Sequence, residues 1–77
     1  MTTFAERPMS RVVQSVPDAR RRCEAVRRMT SSADARRAAS ELLDDVLFSI
    51  GVGLGGPAQV LAGIAEEACQ LADHKVH

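Results

Sequence analysis

Apolar and polar positions along the chain alternate with a helical period in three stretches. The first begins near Ser15, where Ser15 is placed to cap, Pro17 suits a first turn and Asp18 complements the helix dipole. From there Val16, Ala19, Cys23, Val26 and Met29 (or Thr30) recur at three-to-four spacing, a narrow stripe that predicts a helix over about 16–29. The Thr-Ser-Ser run at 30–32 interrupts it, and Ser31 with Asp34 three residues later resembles a capping arrangement.

A second helix is predicted over about 33–50, with Ala35, Ala39, Leu42, Leu43, Val46 and Ile50 on one face and Ala38 flanking them. Gly51 to Gly56 then hold four glycines in six positions, and Pro57 opens a third predicted helix reaching about His74. Its apolar face carries Val60, Leu61, Ile64, Ala65, Ala68, Leu71 and Ala72, with Gln59, Glu66, Gln70 and Asp73 opposite. The expected fold is therefore all-α. It is a small helical bundle in which residues 16–77 form one domain, a two-helix hairpin plus a shorter N-terminal basic helix, after an irregular arm at 1–15.

The glycines raise a second possibility, because Gly51, Gly53 and Gly56 fall at G-x-G-x-x-G spacing. A dinucleotide site needs such a turn between a strand and a helix, with an acidic residue at the end of a further strand about 20 positions on. Here the helical period runs straight into the glycines, and the 21 residues after Gly56 read as one helix. A P-loop fails for want of a following Lys-Ser or Lys-Thr. A membrane span is suggested by the uncharged run from Val46 to Ala65, which is twenty residues long. Against it stand a broken centre at Gly51–Pro57, acidic flanks at Asp45 and Glu66, and no Trp or Tyr at either boundary. A helix stop followed by a helix start accounts for all the punctuation.

Size sharpens the picture. A chain of 77 residues hides only about 60% of the surface its unfolded form exposes, so its core is marginal and outside support is expected. Two cysteines without a C-x-x-C pair do not make a disulfide scaffold or a zinc finger, which leaves oligomerisation as the expected support. The N-terminal residues show no apolar signal-peptide core, so a cytoplasmic protein with free thiols is expected. Phe4 and Phe48 are the only aromatics, too few for a platform that stacks bases.

The net charge of zero conceals a division. Residues 1–37 hold nine arginines against Glu6, Asp18, Glu24 and Asp34, a net of +5. The remainder holds Lys75 against Glu41, Asp44, Asp45, Glu66, Glu67 and Asp73, a net of −5. Arg20, Arg21, Arg22, Arg27, Arg28, Arg36 and Arg37 form a basic surface that could neutralise phosphates, so a small nucleic-acid-binding protein is the alternative reading. The five arginines of the first helix nevertheless surround its stripe, and Arg20–Glu24 and Glu24–Arg28 pairs at i,i+4 describe a solvated face equally well.

Catalysis finds little to work with. The acids scatter over predicted solvent faces, and the only histidines are His74 and His77. Cys69, Asp73 and His77 form an i, i+4, i+8 row, but it ends at a terminus, and neither metal nor other cofactor is expected. Cys23 reads as a small core residue. Phe48 is more informative. It falls off the apolar face, near Arg37, Glu41 and Asp44, and either packs under the first helix or the arm, or anchors an interface with Leu47. The leading expectation is a non-catalytic protein-interaction module, meaning a small adaptor, assembly factor, chaperone or inhibitor. It would bind a protein partner or a second copy through Val46, Leu47, Phe48, Ile50, Leu61 and Ile64, with charge complementarity orienting the contact.

Overall fold

The computed structural model describes residues 12–75, which form three helices joined by short connections: α1 (Val16–Arg28), α2 (Ser32–Val52) and α3 (Ala58–His74). All regular structure among the described residues is helical, as the periodicity requires. The arm at 1–11 and the last two residues, including His77, lie outside the described residues.

Both predicted caps form. Ser15 Oγ accepts from the Asp18 amide at 3.2 Å, which caps α1, and Asp18 Oδ2 accepts from the Gln14 amide at 3.1 Å, tying the residue before the cap to the first turn. Ser31 Oγ does the same for the Asp34 amide at 3.2 Å. The end of α2 departs from expectation by two residues. Gly51 is the first glycine of the run yet lies inside the helix, which stops only where Gly53 takes the left-handed conformation at φ 78°. The Gly53 amide then bonds to the Ile50 carbonyl at 3.1 Å and the Leu54 amide to the Ser49 carbonyl at 2.8 Å. That pair of bonds is a Schellman closure, so the stop signal belongs to Gly53.

The helices run up, down and up. Asp45 on α2 meets Arg22 on α1, and α3 returns alongside both. Val16 at the start of α1 lies beside Gly56, just before α3, while Lys75 Nζ at the end of α3 donates to the Arg27 carbonyl at 2.9 Å. Thus α1 and α3 are parallel to each other and antiparallel to α2. Each helix touches both of the others, so the three pack as a bundle.

The core shows why so few large side chains suffice. Ala19, Ala35, Ala39, Ala65, Ala68 and Ala72 are buried, and such small residues let neighbouring helices approach closely around Leu42, Val46, Leu61, Ile64 and Val26. The hairpin of α2 and α3 does not leave its apolar face open. α1 covers part of it, and Val12 and Val13, expected to belong to an irregular arm, bury themselves as a short strap near the glycine loop.

Ser49 fastens that strap. Its hydroxyl accepts from the Val13 amide at 3.0 Å and donates to the Val13 carbonyl at 3.2 Å, in a fully buried position. Ser49→Ala would leave both backbone groups of Val13 short of a partner, and a cost of about 1–2 kcal/mol is expected. Urea denaturation followed by far-UV circular dichroism measures it; an unchanged midpoint would mean that the two Ser49 hydrogen bonds contribute nothing to stability.

Candidate interaction surface

Among the described residues, the large hydrophobic side chains left exposed are Leu47, Phe48, Val52, Leu54 and Val60. All of them come from the last two turns of α2, the glycine loop or the first turn of α3. By the topology above they therefore share one end of the bundle, the end where the strap docks. Leu47 and Phe48 are the most exposed, at 57% and 56%. On α2, Leu47, Phe48, Gly51 and Val52 follow i, i+1, i+4, i+5 spacing, so they form one face pointing away from the core. Leu54 follows directly in the Schellman closure, a motif that usually brings this residue against the last turn of its own helix.

This arrangement corrects the expected partner-facing set. Val46, Leu61 and Ile64 are buried inside the chain, and Ile50 is half-buried. The physical reason is coverage: α1 and the strap together occupy the face that the hairpin alone would have offered. Only Leu47 and Phe48 of the expected six stand free, joined by Val52 and Leu54, which the glycine punctuation had disguised as loop filler.

The arginines also separate into distinct roles. Arg22 was expected on the basic surface, but its Nη2 reaches Asp45 Oδ2 at 2.8 Å, and Asp45 is only 2% exposed. Asp45 likewise corrects the expectation that the acids all sit on solvent faces. Arg21 pairs with Asp18, Arg27 with Glu24 at 3.2 Å and Glu67 at 3.3 Å, Arg28 with Glu24 at 3.6 Å and Arg37 with Asp34 at 3.5 Å. The expected Arg20–Glu24 pair does not form; Arg20 and Arg36 make no ion pair with a described residue. Most of the basic face is thus interleaved with carboxylates that would oppose a phosphate backbone.

Cys23 and Cys69 are free thiols, the first buried and the second half-buried. Burial pushes the Cys23 thiol above its ordinary value of 9.0, with Glu67 adding to the rise and Arg27 opposing it. Burial, then Asp73 and Glu66, push up Cys69 in the same way. Both thiols therefore stay protonated at neutral pH, which suits neither a nucleophile nor a metal ligand. Slow alkylation at neutral pH is expected, Cys69 ahead of Cys23. A folded-state pKa raised above the unfolded value gives stability that is fully present below about 9 and is lost as pH rises through the folded value. Urea midpoints should consequently fall between neutral and strongly alkaline pH, and fall less in a Cys23→Ala variant.

Among the described residues there is no group of three or more His, Cys, Asp or Glu side chains placed to hold a metal ion. The row proposed from sequence ends at His77, outside the described residues. No described helix is long and apolar enough to cross a membrane, and a helix, not a strand, enters the G-x-G-x-x-G spacing. A shallow groove between α1 and α3, lined by Arg20, Cys23, Glu24, Arg27, Ile64 and Glu67, mixes both charge signs and has no convergent donor set. No protein-family model matches the chain, and no curated protein or solved structure matches it.

Proposed function

We propose that the chain is a non-catalytic helical protein-interaction module, of the kind that serves as an adaptor, assembly factor, chaperone or inhibitor. Its working surface is the apolar end formed by Leu47, Phe48, Val52 and Leu54. The observation that carries this reading is that, among the described residues, the exposed large hydrophobics are confined to 47–60. Singly scattered surface apolars need no explanation, whereas a cluster with an aromatic at its centre has the composition of a binding anchor. The surface is held on a helix whose end is closed by Gly53 and braced by the Ser49–Val13 bonds, so little ordering cost remains to be met on binding. Two free thiols suit a reducing compartment such as the cytoplasm.

The test is affinity capture from cells that make the protein, comparing the full chain with Phe48→Asp. Phe48 is exposed, so the variant should keep its melting curve while losing at least one partner that the unaltered chain retains. Identical sets of retained proteins would refute the assignment. Nucleic-acid binding has weaker support, because the arginines are largely paired. It would regain ground only if binding fell steeply with salt and disappeared on replacing Arg21, Arg27 and Arg28.

A further inference from the structure

The strap is not where the chain begins. Val13 is hydrogen-bonded to Ser49 and Val12 is buried next to it, so residues 1–11 are tethered to the apolar end. Ser49 is the sequence neighbour of Phe48 and lies three residues before Val52, so the tether point is within a helical turn of both. Phe4 lies eight residues before Val12, a distance that an extended chain spans in up to about 26 Å. The stretch of α2 from Glu41 to Val52 measures only about 17 Å, so residues 1–11 can reach all of it.

The composition of this segment matches what it can reach. Phe4 and Met9 are its large apolar side chains beyond Met1, and Arg7 and Arg11 outnumber Glu6. On α2, Glu41, Asp44 and Phe48 follow i, i+3, i+7 spacing, which sets two exposed carboxylates on the flank that carries Phe48. Neither carboxylate makes an ion pair with a described residue. An aromatic side chain beside two acids therefore stands within reach of a tether that carries apolar and basic side chains.

We propose that residues 1–11 fold back over this end, with Phe4 and Met9 seated on Phe48 and Val52, and Arg7 and Arg11 toward Glu41 and Asp44. The proposal rests on the reading of the apolar end as an interaction surface and makes the chain's own N-terminal segment its first occupant, which a partner must displace. A small contact suffices here, because a tethered segment meets the face at an effective concentration on the order of millimolar. A segment seated about nine-tenths of the time would weaken partner binding about tenfold, since only the open fraction is competent.

NMR of the unaltered full chain tests the proposal. Phe4 and Phe48 are the only aromatics, so a contact between their rings has one assignment. Nuclear Overhauser contacts from the Phe4 ring or the Met9 methyl to Phe48 or Val52 are expected, unchanged on dilution. Phe4→Ser should remove the ring contacts and raise the fluorescence of the apolar dye ANS about twofold, with helical circular dichroism unaltered. Arg7→Glu reverses one favourable charge and should weaken the same contacts, most of all at low salt. Absence of any contact between residues 1–11 and Leu47, Phe48 or Val52 overturns the proposal, as does an ANS signal that Phe4→Ser leaves unchanged. Contacts that fade on dilution belong to a second copy and overturn it too. Affinity capture separates the proposal from the reading beneath it. If the contacts are present and Phe48→Asp loses no partner, the seat stands and the interaction module falls. If they are absent while Phe48-dependent capture persists, the interaction surface stands and residues 1–11 are excluded as its occupant.

Discussion

Replacing Gly55 with alanine is expected to destabilise the chain by about 3 kcal/mol, a large share of the roughly 4–12 kcal/mol that a domain of this length has to lose. Two separate costs combine. Gly55 has φ 93°, a region that costs an L side chain about 1–2 kcal/mol. A Cβ there would also stand 2.8 Å from the Val13 carbonyl oxygen and 3.0 Å from Leu61 Cδ1. Neither neighbour yields easily. The carbonyl accepts the Ser49 hydroxyl, so moving it breaks a buried hydrogen bond, and Leu61 is fully buried. Gly53→Ala is the matched control, since Gly53 has φ 78° but nothing within 4 Å of a Cβ, and it should cost only about 1–2 kcal/mol. With no Trp or Tyr to report, far-UV circular dichroism during urea or thermal unfolding is the natural probe. A drop in midpoint of about 10–20 °C is expected for Gly55→Ala. Equal losses for the two glycines would mean that the strap does not press on the loop as described.

That contrast also shows what could be read from the sequence. The helix starts were legible because capping is local: Ser15 and Ser31 each lie three residues before the amide they accept. The bend was legible from glycine density, but its position was not, because only the backbone closure reveals that Gly51 stays helical and Gly53 turns. The strap left no periodic signal, since two valines are too few to define one. Its partner did leave a trace: Ser49 lies three residues after Val46, on the buried side of α2, and hydropathy alone passes over it. Asp45 carried a similar trace, three residues after Leu42. The narrow stripe of α1 covers only part of the hairpin's apolar face. The strap supplies the missing cover, which moves the surface available to partners from the core face to Leu47 and Phe48.

The second large effect is expected at Arg22. Arg22→Met keeps most of the side-chain volume but withdraws the guanidinium from Asp45, a carboxylate that has almost no contact with water. Breaking a buried pair from one side costs about 3–5 kcal/mol. Arg22 keeps 28% of its side chain exposed, so water can enter the gap, and about 2–3 kcal/mol is expected instead. The reverse change should be milder, because an arginine at the edge of the bundle can turn into solvent where a carboxylate on the inner face of α2 cannot. Asp45 has a further interaction besides Arg22, so Asp45→Leu is expected to cost about 1 kcal/mol, still less than Arg22→Met, and the double variant to recover part of what Arg22→Met loses. Urea unfolding of the two single variants and the double one measures this, and equal costs for the single changes would contradict the burial of Asp45. What the ion pair contributes beyond stability follows from the alanines around it. Small side chains give α1 and α2 smooth facing surfaces on which one register differs little in energy from the next. One hydrogen-bonded pair at a fixed level, Arg22 with Asp45, penalises every other register. The double variant should thus melt above Arg22→Met while giving broader methyl and amide NMR lines. Sharp lines in that variant would mean that packing alone sets the register.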